Sequence, residues 1–367
     1  MFSELDTRHM RRALELAELG RYSCQPNPRV GCVIAHGEQV LGEGSHLIAG
    51  EAHAEVNALR MAGEHALGAT AYVTLEPHCF HGKTPPCTDA LIQAGVKRVV
   101  CGALDPNPKV SGEGIRQLQA AGIDARSGLL EDEARELNLG FEKRMRTGRP
   151  RVIVKLAASL DGRTALANGV SRWITGEEAR ADVHRLRAEC SAIVTGVNTV
   201  IADDPQLNVR DPAIEMRGRQ PLKVIVDSNL RTPSAARIFL DGSVLIATAR
   251  EHLDKGAALQ ARGTELFGSK LDSRGRVDLR ALMAELGRRQ CNDVLIEAGA
   301  TLAGRVIEEG VADLFIVYLA PLALGDSARP LLHLPPLARM DAALQFELKQ
   351  ALPLGRDLKL TYVPKSR

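Results

Sequence analysis

Aromatic residues are scarce in this chain, at 3% of 367 positions, with one tryptophan, Trp173. So few rings leave little material for the stacked platforms on which single-stranded nucleic acids are held. A basic stripe is missing as well. Lysine and arginine are scattered and the formal net charge is +2, so no surface dedicated to nucleic acid is expected. No apolar run approaches the ~20 residues of a membrane-spanning helix. Residues 1–20 carry charges of both signs and have neither the apolar stretch nor the cleavage site of a secretory leader; a cytoplasmic protein is expected. The seven cysteines are odd in number and read as thiols or metal ligands, not as a disulfide framework.

What is present is an ordinary globular composition, 45% hydrophobic and 25% charged, long enough for two domains of about 150 residues each. Apolar residues at helical spacing over 6–19 predict a helix stopped by Gly20. RVGCVIA (29–35) and TAYVTLE (70–76) read as strands, with a short strand near 40–45 after the His36-Gly37 turn and a helix from about His53 to Ala62. Helix 88–94, strand 97–103, helix 113–121, a short strand at 123–125 and helix 131–145 continue the alternation. Strands alternating with helices imply a mainly parallel, three-layer α/β/α arrangement. RTGRP (146–150) is a polar joint, after which the alternation restarts with strands at 151–158, 191–196, 222–228, 243–248, 293–297, 313–320 and 358–363. Helices are expected there at 176–189, 251–261, 278–289 and 300–309. The expected domains are 1–148 and 149–367.

In the first domain His53-Ala54-Glu55 opens a helix, and Glu76-Pro77, Cys79 and Cys87 follow the next strand. This order approximates the H-x-E…P-C-x(n)-C pattern of zinc deaminases. Three nitrogen or sulfur ligands hold zinc and leave a fourth position for water, whose pKa the metal lowers towards ~7. Glu55, beside the ligand His53 but not itself a ligand, would move the proton from water to the departing amine. Alone, a His-x-Glu on a helix is usually a solvated face and a cysteine pair is as often structural zinc; the joint order and spacing make the catalytic reading the stronger one.

In the second domain Lys155 interrupts an apolar strand, on the same face as Ile153 and Ala157. There it either lines a cleft or snorkels to an edge. Glu297-Ala298-Gly299-Ala300-Thr301-Leu302-Ala303-Gly304-Arg305 follows strand DVLIE and opens a helix, the usual place for a phosphate. Glycine before a helix is also common for steric reasons, and this is not a G-x-G-x-x-G fingerprint.

HAEVNALRMAG, GATAYVTLEP and HGKTPPCTDALIQAGV closely resemble the deaminase half of the bifunctional riboflavin-biosynthesis proteins, which join a diaminohydroxyphosphoribosylaminopyrimidine deaminase to a 5-amino-6-(5-phosphoribosylamino)uracil reductase. VKLAASLDGRTA, SRWITG, VNTVIADDPQLNVR and IEAGATLAG are similar to the reductase half. The resemblance implies a cytidine-deaminase-like domain followed by a dihydrofolate-reductase-like one, with zinc and NADPH as cofactors. Small phosphoribosyl pyrimidines are the implied substrates, with no nucleic acid or membrane partner, and a homo-oligomer is expected. The family normally reads P-C-x-H-x-G-[KR]-T-P-P-C where this chain reads Pro77-His78-Cys79-Phe80-His81-Gly82-Lys83. A gapless match makes His53, His78 and Cys87 the zinc ligands; an insertion at His78 makes them His53, Cys79 and Cys87. Zinc accepts both sets. Cys79 is preferred, because thiolate is the softer ligand and the C-x-H pair returns whole as Cys79-Phe80-His81. Matched positions imply pyrimidine and ribose-phosphate contacts from Asn27, His46, His81 and Lys83. In the reductase half they imply NADPH contacts from Ala157, Trp173, Thr199, Asp203, Ser228 and the segment Gly299, Ala300, Thr301, Leu302, Ala303, Gly304 and Arg305. Implied substrate contacts are Ser171, Arg187, Leu207, Arg210 and Glu297, with Arg187 and Arg210 suited to a phosphate clamp. Lys155 and Glu297, placed near the sugar carbon that is reduced, are candidate orienting or proton-handling groups.

Overall fold

Ser3 starts the first helix, Glu4–Glu18, with a reciprocal cap: its hydroxyl accepts from the Asp6 amide and the Asp6 carboxylate accepts from the Ser3 amide. Two donors that the helix itself leaves unpaired are thereby satisfied. The same carboxylate accepts from the Tyr72 hydroxyl at 2.8 Å and from the Arg98 guanidinium at 2.7 and 3.1 Å, which ties the helix to two strands of a sheet. The computed structural model describes residues 2–82 and 84–365, and the chain divides into two compact units, one of Met1–Gly148 with Glu215–Arg217 and one of Arg149–Ile214 with Gly218–Arg367.

The sheet of the first unit holds β1 (Gly31–His36), β2 (Gln39–Ser45), β3 (Thr70–Leu75), β4 (Arg98–Ala103) and β5 (Asp124–Ser127), in the order β2-β1-β3-β4-β5. The expectation of a mainly parallel sheet needs correction here. β1 runs antiparallel to both β2 and β3, and only β3, β4 and β5 are parallel. Gly37, left-handed at φ 59°, folds β2 back so that His36 pairs with Gln39 across two residues. The helix Ala54–Ala62 turns an alanine face, Ala54, Ala58 and Ala62, into the core. It lies directly on β2: a Cβ at Gly42 would come within 2.2 Å of the Ala58 carbonyl, and one at Gly44 within 2.1 Å of the Ala54 carbonyl. Glycine is required at both places by this close approach. The expected helix over 131–145 is two, Glu131–Glu136 and Leu139–Thr147. Asn138 interrupts it because its side-chain amide closes on the Arg29 backbone, accepting from the amide at 2.8 Å and donating to the carbonyl at 2.9 Å.

The second unit is built on nine strands: β6 (Arg151–Ser159), β8 (Ala192–Gly196), β9 (Leu222–Val226), β10 (Val244–Ala249), β11 (Glu265–Ser269), β12 (Asp293–Ile296), β13 (Leu314–Ala320), β15 (Phe346–Leu354) and β16 (Asp357–Pro364). A separate two-stranded pair joins β7 (Arg163–Ala165) to β14 (Arg329–Pro330). The order β11-β10-β9-β8-β12-β6-β13-β16-β15 is parallel through β13 and antiparallel at the last two strands. β6 shows why both faces are covered: Val152, Val154, Leu156 and Ala158 enter one apolar cluster and Ile153 the other. A parallel sheet with apolar residues on both faces must carry a helix layer on each. Expected helix 251–261 is instead a 3₁₀ segment, Arg250–Gly256, and one short α turn, Ala257–Gln260. The strands β7, β11, β14 and β15 and the helix Val197–Asp203 were not anticipated.

Burial alone would raise the Asp6 pKa, but the bonds from Arg98, Ser3 and Tyr72 outweigh it and hold the carboxyl well below the usual range. A depressed folded-state pKa contributes stability that is present above the unfolded value near ~4 and is lost as pH falls through the folded one. Asp6→Asn is therefore expected to lower stability at pH 7 by about 1–3 kcal/mol and to flatten the acid limb of the unfolding midpoint. Calorimetric scans between pH 3 and pH 7 read both effects.

Candidate active sites

His53 is the N-cap of the helix Ala54–Ala62, so its imidazole stands at the helix end with Glu55 one residue inside. On the facing side, the backbone carbonyl of His78 accepts from the amides of Cys87 and Thr88 at 2.8 and 3.2 Å. This caps the helix Cys87–Gln93, whose first amides have no partner within the helix, and draws residue 78 to the Cys87 thiol. His53 Nδ1 lies 3.1 Å from Cys87 Sγ. The His53 and His78 rings meet at 5.4 Å, and one donor atom from each of His53, His78 and Cys87 falls within 4.8 Å of the others.

The preferred ligand Cys79 is not in this cluster. Its thiol points to the Lys109 carbonyl at 4.0 Å, whereas the His78 ring meets that of His53. Glu76 is buried and serves the scaffold: its carboxylate accepts from the backbone amides of Asp105, Gly112 and Ile115. His78, not included in the preferred ligand set, has its Nδ1 buried with no hydrogen-bond partner among the described residues. A metal would satisfy that atom. Ligand atoms on a tetrahedral zinc lie ~3.5 Å apart, which the observed cluster accommodates, and two imidazoles with one thiol form a zinc donor set. Thr84, whose hydroxyl sits 3.3 Å from His53 Nε2, is an outer partner of the kind that fixes a ligand ring. Its place was not legible from the sequence.

Burial, with the neighbouring His46 and His78, brings His53 down to about 4, so it is neutral and able to bind metal. Glu55 is 3% exposed, and burial pushes its carboxyl up to about 7. Asn27 donates its amide to His46 Nε2 at 2.9 Å. His46 Nδ1 therefore carries the proton and donates to the Ala52 carbonyl at 3.2 Å. The His46 and His53 rings meet edge to face at 5.0 Å, so Asn27 and His46 stand next to the cluster. Phe80 packs edge-on against His78 at 4.4 Å. His81 is exposed, and Lys83 lies outside the described residues.

In the second unit a cleft of about 1090 Å³ opens at the carboxyl ends of the parallel strands, where ligands of such sheets bind. Lys155, Ala157, Thr199, Asp203 and Ser228 line it, as do Trp173 and Ser171. Gly299, Ala300, Thr301, Leu302 and Arg305 come from the head of the helix Ala300–Glu308. Thr199 Oγ1 accepts from the Gly299 amide at 3.3 Å, and a Cβ on Gly299 would meet only that oxygen, at 3.9 Å. The helix head is thus open to the cleft, as a pyrophosphate needs. Two expected contacts do not reach the cleft: Ala303 is fully buried in the core, and a Cβ on Gly304 would strike the His333 carbonyl at 2.2 Å. Helical rotation carries these positions to the inner face.

Leu207, Arg187, Arg210 and Glu297 line the same cleft. Glu297 receives Lys155 Nζ at 3.2 Å and a two-point contact from Arg187, at 2.5 and 3.0 Å. Arg187 also donates to the Asn208 carbonyl at 3.1 Å. Three of its N–H groups are engaged in this way, two of them by Glu297. Burial would raise the Glu297 pKa; Arg187 and Lys155 outweigh it and keep the carboxylate ionised. His184, three residues before Arg187 on the helix Glu177–Glu189, also lines the cleft, and its buried Nδ1 has no hydrogen-bond partner among the described residues. The sequence analysis missed it, although its i, i+3 spacing from Arg187 places both on one helix face.

A zinc-type deaminase unit followed by a nucleotide-dependent reductase unit is the class that these two sites define. Residues 3–103 match the cytidine and deoxycytidylate deaminase zinc-binding region, and residues 150–360 match the RibD C-terminal domain. The riboflavin biosynthesis protein RibD of Escherichia coli K12 is 48% identical over 98% of this chain and 99% of its own length. Its Haemophilus influenzae counterpart is 46% identical over 99% of both. The solved structure of Acinetobacter baumannii RibD, 45% identical, superposes with a TM-score of 0.92 over 99% of both chains. A Thermotoga maritima structure described as a diaminohydroxyphosphoribosylaminopyrimidine deaminase/5-amino-6-(5-phosphoribosylamino)uracil reductase, 32% identical, gives 0.86 over 98% of this chain and 99% of its own. The chain belongs to the RibD family of riboflavin biosynthesis proteins. It combines a zinc-dependent deaminase with an NADPH-dependent reductase. Among the described residues no helix is long and apolar enough to cross a membrane.

Substitution separates the two histidine-or-cysteine alternatives. His78→Ala is expected to lose bound zinc, whereas Cys79→Ala keeps it, as measured by metal analysis of the purified proteins. The opposite pattern removes His78 from the ligand set.

Proposed function

We propose that the first unit, residues 1–148, hydrolytically deaminates 2,5-diamino-6-(5-phosphoribosylamino)pyrimidin-4(3H)-one. The second unit, residues 149–367, then reduces the ribosyl side chain of the resulting 5-amino-6-(5-phosphoribosylamino)uracil to ribityl with NADPH. The observation that carries this reading is the His53, His78 and Cys87 cluster with buried Glu55 at the same helix head. The description of the Thermotoga relative supports the choice of substrates.

His53, His78 and Cys87 would hold zinc, which when bound supplies Lewis-acid activation of a water molecule. Glu55, raised to about 7 by burial, takes a proton from the water side and returns it to the amine that leaves, a role for which a carboxyl near neutrality is suited. Asn27 presents an amide to the pyrimidine edge, with its orientation fixed by His46. His81 and Lys83 are assigned to the substrate's sugar phosphate on the strength of the resemblance.

In the reductase cleft NADPH supplies the reducing equivalents, and the chain's own residues position it. The head of the helix Ala300–Glu308, with Thr199, receives the cofactor's pyrophosphate. Ser228 and Trp173 border the same cleft. Lys155 faces the sugar, steered by Glu297, and hands a proton to the sugar oxygen as the ring opens. Arg210 meets the substrate phosphate as a charge-assisted donor.

Glu55→Gln is expected to cut ammonia release by roughly 10²–10⁴-fold while zinc content and reductase turnover stay at the wild-type level. A structural zinc site would instead leave ammonia release indifferent to this substitution. Lys155→Met is expected to lower the reductase kcat by a similar factor with the Kd for NADPH, read by fluorescence, within about twofold. Unaltered turnover in that variant rules out its proton role.

A further inference from the structure

Behind the cleft wall that carries Arg210 lies a lysine with almost no access to water. Lys223, on β9, is 1% exposed. Its ammonium donates to the Ile238 carbonyl at 2.5 Å, to the Asp241 carbonyl, and to Asp241 Oδ1 at 2.7 Å. A buried ammonium is tolerated only when paired and hydrogen-bonded in this way. Asp241 passes the contact on: its Oδ2 accepts from Asn208 Nδ2 at 2.5 Å. Asn208, 8% exposed, then offers Oδ1 to Arg210 Nη1 and its backbone carbonyl to Arg187 Nη1, each at 3.1 Å. The partners dictate the orientation of this amide, since only its NH₂ can donate to a carboxylate and only its oxygen can accept from a guanidinium.

The backbone beside Asn208 is held independently. The Gln220 side chain accepts from the Val209 amide and donates to the Val209 carbonyl, both at 2.9 Å. Leu207 occupies the left-handed region at φ 49°, an uncommon conformation for a branched residue that persists where its surroundings impose it. Arg210 needs such restraint. Burial disfavours its charge, Arg187 and Arg237 repel it, and Glu297 and Asp241 attract it. Without a tether, a guanidinium among like charges swings away from the cleft.

We propose that Asn208, Asp241 and Lys223 are positioning residues of the reductase: a polar chain, rooted in the buried Lys223 and running through half-buried Asp241, that holds Arg210 where a pentose phosphate monoester binds. This rests on the reading that Arg210 meets the substrate phosphate. The chain acts on substrate affinity through Arg210 and touches neither the cofactor nor the reacting carbon.

A double-mutant cycle in the full-length protein tests it. The readouts are the reductase KM for the phosphoribosylamino-uracil and the competitive Ki of ribose 5-phosphate in the same assay. Deaminase rate and NADPH binding report that the chain is folded. Asn208→Ala and Arg210→Ala are each expected to raise KM and Ki roughly tenfold, with kcat and the Kd for NADPH within about twofold. The double variant should be no worse than Arg210→Ala alone, because interacting groups fail to add. Asp241→Ala, which leaves the backbone contacts of Asn208 in place, should repeat the result and serves should Asn208→Ala lose NADPH binding. If Arg210→Ala weakens binding while Asn208→Ala and Asp241→Ala do not, or if the losses add in full, the positioning role is overturned and the phosphate reading stands. If Arg210→Ala leaves KM and Ki unchanged, the phosphate reading itself falls.

Discussion

The carbonyl of His78 decides how the deaminase centre is assembled. Its bonds to the amides of Cys87 and Thr88 answer the demand of a helix terminus for acceptors, and the demand has a geometric result. With the carbonyl on the helix head, the imidazole of the same residue and the thiol of Cys87 share one corner, while the next side chain, Cys79, meets the Lys109 carbonyl instead. Everything else at the site is brought to that corner. The second helix delivers His53 and Glu55 from the opposite wall, and the buried Glu76 carboxylate secures the segment after β4 through the backbone amides of Asp105, Gly112 and Ile115.

The reductase cleft relies on charge where the deaminase relies on backbone. Glu297 lies between Lys155 and Arg187, and neither cation could be buried so deeply without it. Such an arrangement orients as well as neutralises. A carboxylate with a two-point guanidinium contact on one side has a fixed plane, so the lysine that it receives from the other side is aimed as well. The apolar strands around it supply the low-dielectric surroundings in which a fixed dipole is most effective.

Much of this was legible in the chain itself. The alternation of strands and helices announced two α/β units, and His53-Ala54-Glu55 announced the deaminase helix, because local order and spacing carry those signals. The antiparallel pairing of β1 with β3 was not legible, since no local turn joins those two strands, whereas the tight turn at His36-Gly37 already implies that β2 folds back on β1. Which of the side chains at 78 and 79 meets His53 and Cys87 turned on a carbonyl-to-amide bond that no side chain announces. The pairing of Arg187 with Glu297 joins residues 110 positions apart, beyond the reach of pattern reading. Ala303 and Gly304 were included with a motif that runs along the chain, whereas a helix presents only part of any consecutive run to one side. Asn138 read as one more polar residue in a helix until its amide was seen to close on the Arg29 backbone.

The bare contact of the helix Ala54–Ala62 with Gly42 and Gly44 works as a gauge block. Layers separated by side chains can breathe, because rotamers change and methyl groups slide. Here the spacer is the main chain itself, which has no rotamers to exchange. Repacking of the apolar interior elsewhere therefore has no lever on the distance between this helix and its strand, and the position of Glu55 is insulated from drift in the rest of the core.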